Sequence, residues 1–431
     1  MSEINIGWKE IREPHTGDVC FKLAHPTGLT IFVCPKKGYA SSYAVFGTRY
    51  GSIDTVFYKD RDHEPTHVPA GIAHYLEHKL FENEDAGAFE RYAKTGASAN
   101  AYTGFDRTAY LFTCTDRLEE SLEILLDFVQ SPYFTEETVA KEQGIIGQEI
   151  RMGEDSPSRQ VLFNLLRALY HKHPVRIDIA GTVESIAKIT PELLYGCYNT
   201  FYNLNNMVLA VVGNATPELV KKVADRILKQ GEDKMVERAG VDEPPEVVQP
   251  RTVQKMPVSA PLFYLGFKDY FPDGKNSRTP EEIIAAGVLL EILAGRSSGL
   301  YNRLMERGLI NSSFDSDYFD GPGYGIWLFG GESSDPDAVA RAISDEIERL
   351  RKDGIPAADF EAAHKAMYGR QVSALNDIEN VGDILISDFF AGRSPFSAID
   401  AAAGLKLETV ERLLNTCLLE HQMALSIVSP V

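Results

Sequence analysis

His74, Glu77 and His78 stand in the order H-x-x-E-H within His74-Tyr75-Leu76-Glu77-His78. On a helix turning roughly 100° per residue, positions four apart lie one turn above each other, so both imidazoles can reach a single metal ion. Glu77 projects beside them, where a carboxylate can take a proton from a water activated by the metal, which is the work of a general base. Two imidazoles do not complete such a site. A hydrolytic zinc centre uses three protein ligands and keeps one position for water, so a third ligand is required from another element. Glu149 is the candidate, in Glu142-Gln143-Gly144-Ile145-Ile146-Gly147-Gln148-Glu149-Ile150, where Val139, Ile145, Ile146 and Ile150 make a helical apolar stripe. Glu142 and Glu149 are seven positions, or two turns, apart on nearly one face, which lets Glu149 bind the metal while Glu142 acts on a ligand or on the attacking water. Read alone, the same two carboxylates also fit the solvated face of an amphipathic helix.

The elements that must carry these groups occur twice in the same order. In the first half, strand-like stretches at 29–34 and 43–47 precede the motif helix, and strands at 99–103 and 108–113, a helix at 118–130 and the helix bearing Glu142 and Glu149 follow. The second half repeats this with a helix at 281–293, strands at 314–318 and 325–329, and helices at 336–351 and 359–370. A repeat of this size predicts duplicated domains: residues 1–230, a linker at 231–257 containing Glu243-Pro244-Pro245-Glu246 and Pro250, and residues 258–431. The expected fold is α+β, each domain an antiparallel-rich sheet covered by helices. The second helix matching the motif reads Gly287-Val288-Leu289-Leu290-Glu291-Ile292-Leu293, without histidine, so a metal belongs to the first domain.

Three segments, Gly71-Ile72-Ala73-His74-Tyr75-Leu76-Glu77-His78, Gly96-Ala97-Ser98-Ala99-Asn100-Ala101-Tyr102-Thr103 and the run from Glu142 to Glu149, resemble the pitrilysin/insulinase family of zinc peptidases. So do His173-Pro174-Val175, Gly181-Thr182-Val183-Glu184-Ser185-Ile186, and Phe201-Tyr202 ahead of Asn206-Met207 and Gly213. The resemblance spans most of the first half and is nearest to the short, two-domain bacterial members, YmfH-like proteins among them, and to mitochondrial processing peptidase subunits. It implies a zinc endopeptidase acting on short or unfolded peptides. One zinc ion per chain would sit on His74, His78 and Glu149, with Glu77 as base and Glu142 in support. It also implies two related domains forming one half of a clamshell. The alternation of residue sizes along 98–103 suits a strand to whose edge an extended peptide adds, and the resemblance assigns substrate contacts to Asn100 and Ala101. Without it the segment reads as a plain strand.

The second half departs from the family pattern. Members that bind substrate with both domains carry an Arg and a Tyr in a segment similar to L-R-E-K-x-G-x-x-Y. This chain reads Leu304-Met305-Glu306-Arg307-Gly308-Leu309-Ile310-Asn311, with Met305 in place of the Arg and Asn311 in place of the Tyr. Losing an oxyanion-stabilising donor costs about a hundred- to a thousandfold in rate. The expectation is therefore a heterodimer in which a paralogous subunit supplies the pair. A homodimer stays open, as does a shifted loop in which Arg307 or Tyr318 serves. The competing reading is a non-catalytic peptide-binding or scaffold subunit, against which the four metal and base residues weigh. A closed structural zinc site would need a fourth protein ligand, and the sequence offers none nearby.

At 431 residues, 44% hydrophobic and 24% charged, the chain should form two or more domains with cores. A net charge of -19 argues against nucleic acid and anionic membranes, and suits attraction of cationic peptides. The opening residues lack an apolar stretch behind a basic one, and no later run is expected to approach membrane-spanning length. Cys20, Cys34, Cys114, Cys197 and Cys417 are scattered, with no C-x-x-C, which predicts buried thiols in the cytoplasm. His63, His67, His171 and His173 are assigned surface or loop-packing roles, and Gly321-Pro322-Gly323-Tyr324-Gly325 a turn between strands rather than a nucleotide loop.

Overall fold

The computed structural model describes residues 7–59, 64–83, 87–231, 236–271 and 277–431. The chain forms two compact units: unit 1 is Met1–Ile150, Asp178–Ala239 and Val372–Phe396, and unit 2 is Arg151–Ile177, Gly240–Gln371 and Ser397–Val431. Unit 1 begins with β1 (Trp8–Arg12), β2 (Val19–Ala24), β3 (Thr30–Pro35), β4 (Ser42–Thr48), β5 (Val56–Lys59) and β6 (Thr66–His67). Then come α1 (Ile72–Leu80), α2 (Ala88–Thr95), the hairpin β7 (Ser98–Thr103) and β8 (Thr108–Cys114), α3 (Leu118–Val129) and α4 (Glu136–Glu154). Helix α5 (Pro157–Leu169) belongs to unit 2, after which unit 1 resumes with α6 (Val183–Ile186), α7 (Pro191–Phe201), β9 (Met207–Gly213), α8 (Pro217–Ile227) and β10 (Val236–Arg238). Unit 2 continues with β11 (Arg251–Met256), β12 (Leu262–Asp269), α9 (Pro280–Ala294), α10 (Gly299–Glu306), the hairpin β13 (Asp315–Gly321) and β14 (Tyr324–Glu332), α11 (Pro336–Asp353) and α12 (Ala357–Ala374). Helix α13 (Ile378–Phe390) lies in unit 1, and unit 2 closes with α14 (Ser397–Gly404), α15 (Leu407–Thr416) and β15 (Met423–Pro430).

The seven-stranded sheet of unit 1 has the order β1-β2-β3-β9-β4-β8-β7, with β3 and β9 parallel and the other neighbours antiparallel. Strands β4 and β9 are buried at every position, which explains unbroken apolar runs such as Met207-Val208-Leu209-Ala210-Val211-Val212. A strand covered on both faces has no polar side to show. Helix α13 packs on β4 and β9, and its close approach rests on Gly382, where a Cβ would come within 2.5 Å of the Tyr43 ring.

Unit 2 repeats the pattern in five strands, β11-β15-β12-β14-β13, again one parallel pair followed by antiparallel neighbours. Here α5 packs on β12 and β15, and a Cβ on Gly266 would meet Leu165 at 2.7 Å. Both units are thus mixed α/β with a largely antiparallel sheet covered by helices. Helix α9 starts on a capping box, Thr279 with Glu282, with Pro280 in its first turn, so local sequence fixes where it begins.

The chain crosses from unit 1 to unit 2 between Ala239 and Gly240, and α5 and α13 each lie with the unit of the other repeat. The linker is also more ordered than its composition suggests: β10 pairs with β5, and β11 pairs with β15. β11 closes one edge of its sheet, where polar alternation such as Arg251-Thr252-Val253-Gln254-Lys255 is tolerated and masks the strand. Residues 232–235 and His63 lie outside the described residues, and His67 sits on the short strand β6 instead of in a loop.

One stretch, Pro280–Glu306, proves long and apolar enough by composition to cross a membrane, contrary to the sequence expectation, and its most apolar window is 56% buried within the fold. The backbone turns extended at Gly295, which leaves α9 with 15 residues. Such a helix is about 22 Å long, short of a bilayer core of about 30 Å. Gly323, at φ +81°, makes the expected turn between β13 and β14.

Candidate metal and catalytic site

Helix α1 buries eight residues, Ile72, Ala73, His74, Tyr75, Leu76, Glu77, Lys79 and Leu80, so it is a core helix that carries polar groups inward. It begins at Gly71, whose φ is +89° and where a Cβ would strike the Ala180 carbonyl oxygen at 2.3 Å. Only glycine permits that contact with the Ala180–Gly181 turn, and Ser185 Oγ fastens the turn by donating to the Ala70 carbonyl at 2.8 Å.

Helix α4 is tied alongside. The Tyr75 hydroxyl donates to the Val139 carbonyl, and buried Lys79 pairs with Glu82 while its Nζ donates to the Thr138 carbonyl at 3.4 Å. Ile146 packs into the core, and the neighbouring turns then bring Glu142 and Glu149 to the histidines. His74 Nε2 lies 3.5 Å from Glu149 Oε1, and His78 Nε2 lies 3.6 Å from Glu149 Oε2. The two imidazole rings are 4.6 Å apart between centroids. Ligands 2.0–2.1 Å from a tetrahedral zinc ion stand about 3.3 Å from one another. The spacing of this two-imidazole, one-carboxylate set, His74, His78 and Glu149, therefore fits a zinc ion.

Glu142 turns its carboxylate to the other side of His78, accepting from Nδ1 at 2.9 Å. That bond leaves Nε2 facing Glu149, the usual way a carboxylate orients a metal-binding imidazole. Burial alone would lower the His78 pKa. The Glu142 hydrogen bond and the charges of Glu77, Glu142 and Glu149 outweigh it and hold the imidazole above its ordinary value. The same bond to His78, against burial, keeps the Glu142 carboxyl below the usual range.

Glu77, 9% exposed, is reached from a third element: Thr103 Oγ1 on β7 donates to its Oε2 at 2.7 Å. Among the described residues β7 is the last strand of its sheet, paired with β8 alone, and it carries Asn100 and Ala101. Asn100 Oδ1 accepts the N–H of Ala101 at 2.9 Å. Thr103, Tyr75 and Lys79 stand within or beside segments that the sequence motifs single out, but their partners lie far along the chain, and no spacing rule points to them.

The remaining sequence candidates lie in unit 2. Met305 is 39% exposed on α10, and Arg307 is exposed just beyond it. Asn311 Nδ2 donates to Glu332 Oε2 at 2.7 Å. The Tyr318 hydroxyl donates to Asp269 Oδ2 at 2.8 Å. His173 is buried and caps a short turn, its Nδ1 accepting from the Val175 N–H at 3.1 Å while Nε2 meets the Pro322 carbonyl at 3.0 Å.

Residues 63–183 match the family described as insulinase (peptidase family M16), and residues 188–367 match its companion described as the peptidase M16 inactive domain. YmfH of Bacillus subtilis (strain 168), described as an uncharacterized zinc protease, is 42% identical over 391 residues, covering 90% of this chain and 91% of that one. The crystal structure of a putative M16-like peptidase from Alicyclobacillus acidocaldarius superposes with a TM-score of 0.91 at 35% identity over 100% of this chain and 99% of that one. A probable mitochondrial-processing peptidase subunit beta of Arabidopsis thaliana is 24% identical, covering 84% of this chain and 71% of that one. Identity at the level of the Bacillus protein, sustained through both repeats, reflects common descent, and the chain belongs to the insulinase family of peptidases, M16.

Proposed function

We propose that the chain is a zinc metalloendopeptidase that hydrolyses peptide bonds in short or unfolded peptides. The observation that carries this is the spacing of the donors: two imidazole nitrogens 3.5 and 3.6 Å from the two oxygens of one carboxylate, beside a buried glutamate. His74, His78 and Glu149 would hold a zinc ion, which when bound would supply the Lewis acidity that polarises a scissile carbonyl and lowers the pKa of a water. Glu77 then accepts the proton of the attacking water and returns it to the leaving amine. Glu142 keeps the His78 ring in register. An extended peptide adds to the open edge of β7, displacing the Asn100 side chain from the Ala101 N–H to pair with that group.

The reading includes one zinc per chain and a paralogous subunit that supplies the Arg and Tyr absent at Met305 and Asn311. Two observations support the second subunit: Asn311 is engaged with Glu332, and the Arabidopsis relative is by its name one subunit of a processing peptidase. It also places the chain in a reducing compartment, the cytoplasm, in keeping with five free, buried cysteines.

The test is hydrolysis of a mixed quenched-fluorescent peptide library by the zinc-loaded chain, with Glu77→Gln as control. Cleavage that disappears in the variant supports the peptidase and removes the need for a second subunit. Zinc bound without cleavage, alone or with a paralogue bearing the Arg and Tyr, would favour a peptide-binding scaffold.

A further inference from the structure

We infer that Thr103 is the positioning residue for the general base: its hydroxyl holds the Glu77 carboxylate in the orientation from which it takes a proton. The inference rests on the role given to Glu77 above. A carboxylate as withdrawn from water as Glu77, at 9% exposure, needs a donor in exchange for its lost hydration. Thr103 provides one at 2.7 Å. Donor and acceptor come from different elements, β7 and α1, so the bond fixes the base relative to the strand that carries Asn100 and Ala101.

The protons around Thr103 can be counted. Thr108 Oγ1 donates to the Tyr50 carbonyl at 2.9 Å, and because a carbonyl only accepts, the single Thr108 hydroxyl proton is committed there. Thr103 Oγ1 and Thr108 Oγ1 are 3.3 Å apart, so in that contact the proton can only be that of Thr103. Thr103 therefore has one proton and two acceptors, Glu77 near and Thr108 farther. While Glu77 is a carboxylate, the proton points at it. When Glu77 has taken the proton of the attacking water, one water O–H bond has broken and a Glu77 O–H bond has formed. The new O–H can donate to Thr103 Oγ1, and rotation about the Thr103 Cβ–Oγ bond turns its own proton to Thr108. The process reverses as Glu77 gives its proton to the leaving amine. Neither form of the base is left without a partner, and no bond within Thr103 breaks.

The alternative is that Thr103 is a β-branched residue chosen for its strand alone. Valine has the same shape and strand preference, so under that alternative Thr103→Val is silent. Wild type, Thr103→Val and Thr103→Ser are compared as zinc-loaded full-length chains by zinc content, by crystal structure, and by kcat and KM on a peptide the wild type cleaves. For Thr103→Val we expect zinc stoichiometry and KM to stay within about threefold, and kcat to fall by about tenfold to a hundredfold, part of the roughly 10² to 10⁴ that a general base supplies. We expect the Glu77 carboxylate of that variant to leave its wild-type position, and Thr103→Ser to recover both kcat and position. An unmoved carboxylate, an unchanged kcat, no recovery in Thr103→Ser, or loss of zinc in Thr103→Val overturns the assignment. Should the wild type cleave no peptide, the peptidase reading fails separately, and the position of the Glu77 carboxylate in the crystal structures still decides whether Thr103 holds it.

Discussion

Helices α1 and α9 hold the same place in their repeats. Each is followed by a second helix, then a hairpin with one strand at the edge of its sheet, then two long helices. Where α1 has His74, Glu77 and His78, α9 has Val288, Glu291 and Ile292. The glutamate is retained, but in unit 2 it pairs with Arg370 of α12 at 3.1 Å, whereas the corresponding helix of unit 1, α4, brings carboxylates to two imidazoles. The helices also differ in local quality. α9 starts on a capping box, while α1 starts at Gly71 without a side-chain cap and has no acidic residue in its first turn. One repeat follows the rules that make a stable helix, and the other breaks them where it carries polar groups into the core. A local rule broken at one copy only is a sign of function rather than of fold.

The largest effect expected from this comparison concerns the units themselves. A chain ending at residue 230 lacks α13 and bares the face of β4 and β9 that α13 covers, so it should show no cooperative thermal transition by calorimetry. Fusing residues 372–396 to that fragment should restore one. A fragment that melts cooperatively without them would break the account of exchanged helices.

Next in size is the contrast between the two glutamates. Glu77→Gln should lower kcat by about 10² to 10⁴, while Glu291→Gln leaves it within about threefold, measured on one peptide. Equal losses would mean that the retained residue in unit 2 also takes part.

Acid should act on unit 2 through His173. Burial pushes its pKa down to about 4, and protonating Nδ1 would break the bond from the Val175 N–H. The folded state favours neutral imidazole, so this contribution to stability is complete above pH of about 6.5 and is lost as pH falls toward 4, by about 3 kcal/mol in all. Urea titrations from pH 7 to 4 should show a decline that His173→Gln flattens. The smallest effect is expected for Glu142→Gln, which should weaken zinc binding by about tenfold to a hundredfold without abolishing it. Competition with a chelator of known affinity measures this, and an unchanged affinity would make the Glu142–His78 bond incidental.

Much of the site is legible in the sequence because its members share helices. Positions four and seven apart on α1 and α4 fall on one face whatever the tertiary fold, so spacing alone pairs His74 with His78, and Glu142 with Glu149. Thr103 carries no such signal, since its bond to Glu77 joins a strand to a helix and leaves no periodic trace. The exchange of α5 and α13 is hidden for a related reason. An amphipathic helix advertises a buried face but not which sheet will cover it, so the sequence reads as two successive domains joined by a linker at 231–257, while each unit takes one helix from the other repeat's stretch of chain. Strand β11 reads as linker because a polar edge strand looks like one.

The central claim is that one repeat alone carries the metal site. It is tested most directly by the zinc content of the dialysed full-length chain, read by plasma mass spectrometry, for wild type, His78→Ala and Glu149→Gln, with circular dichroism to confirm folding. The account predicts one zinc ion per folded wild-type chain and less than about a tenth of that in His78→Ala. Folded variants that retain zinc at the wild-type level, or a wild type that binds none, would contradict it.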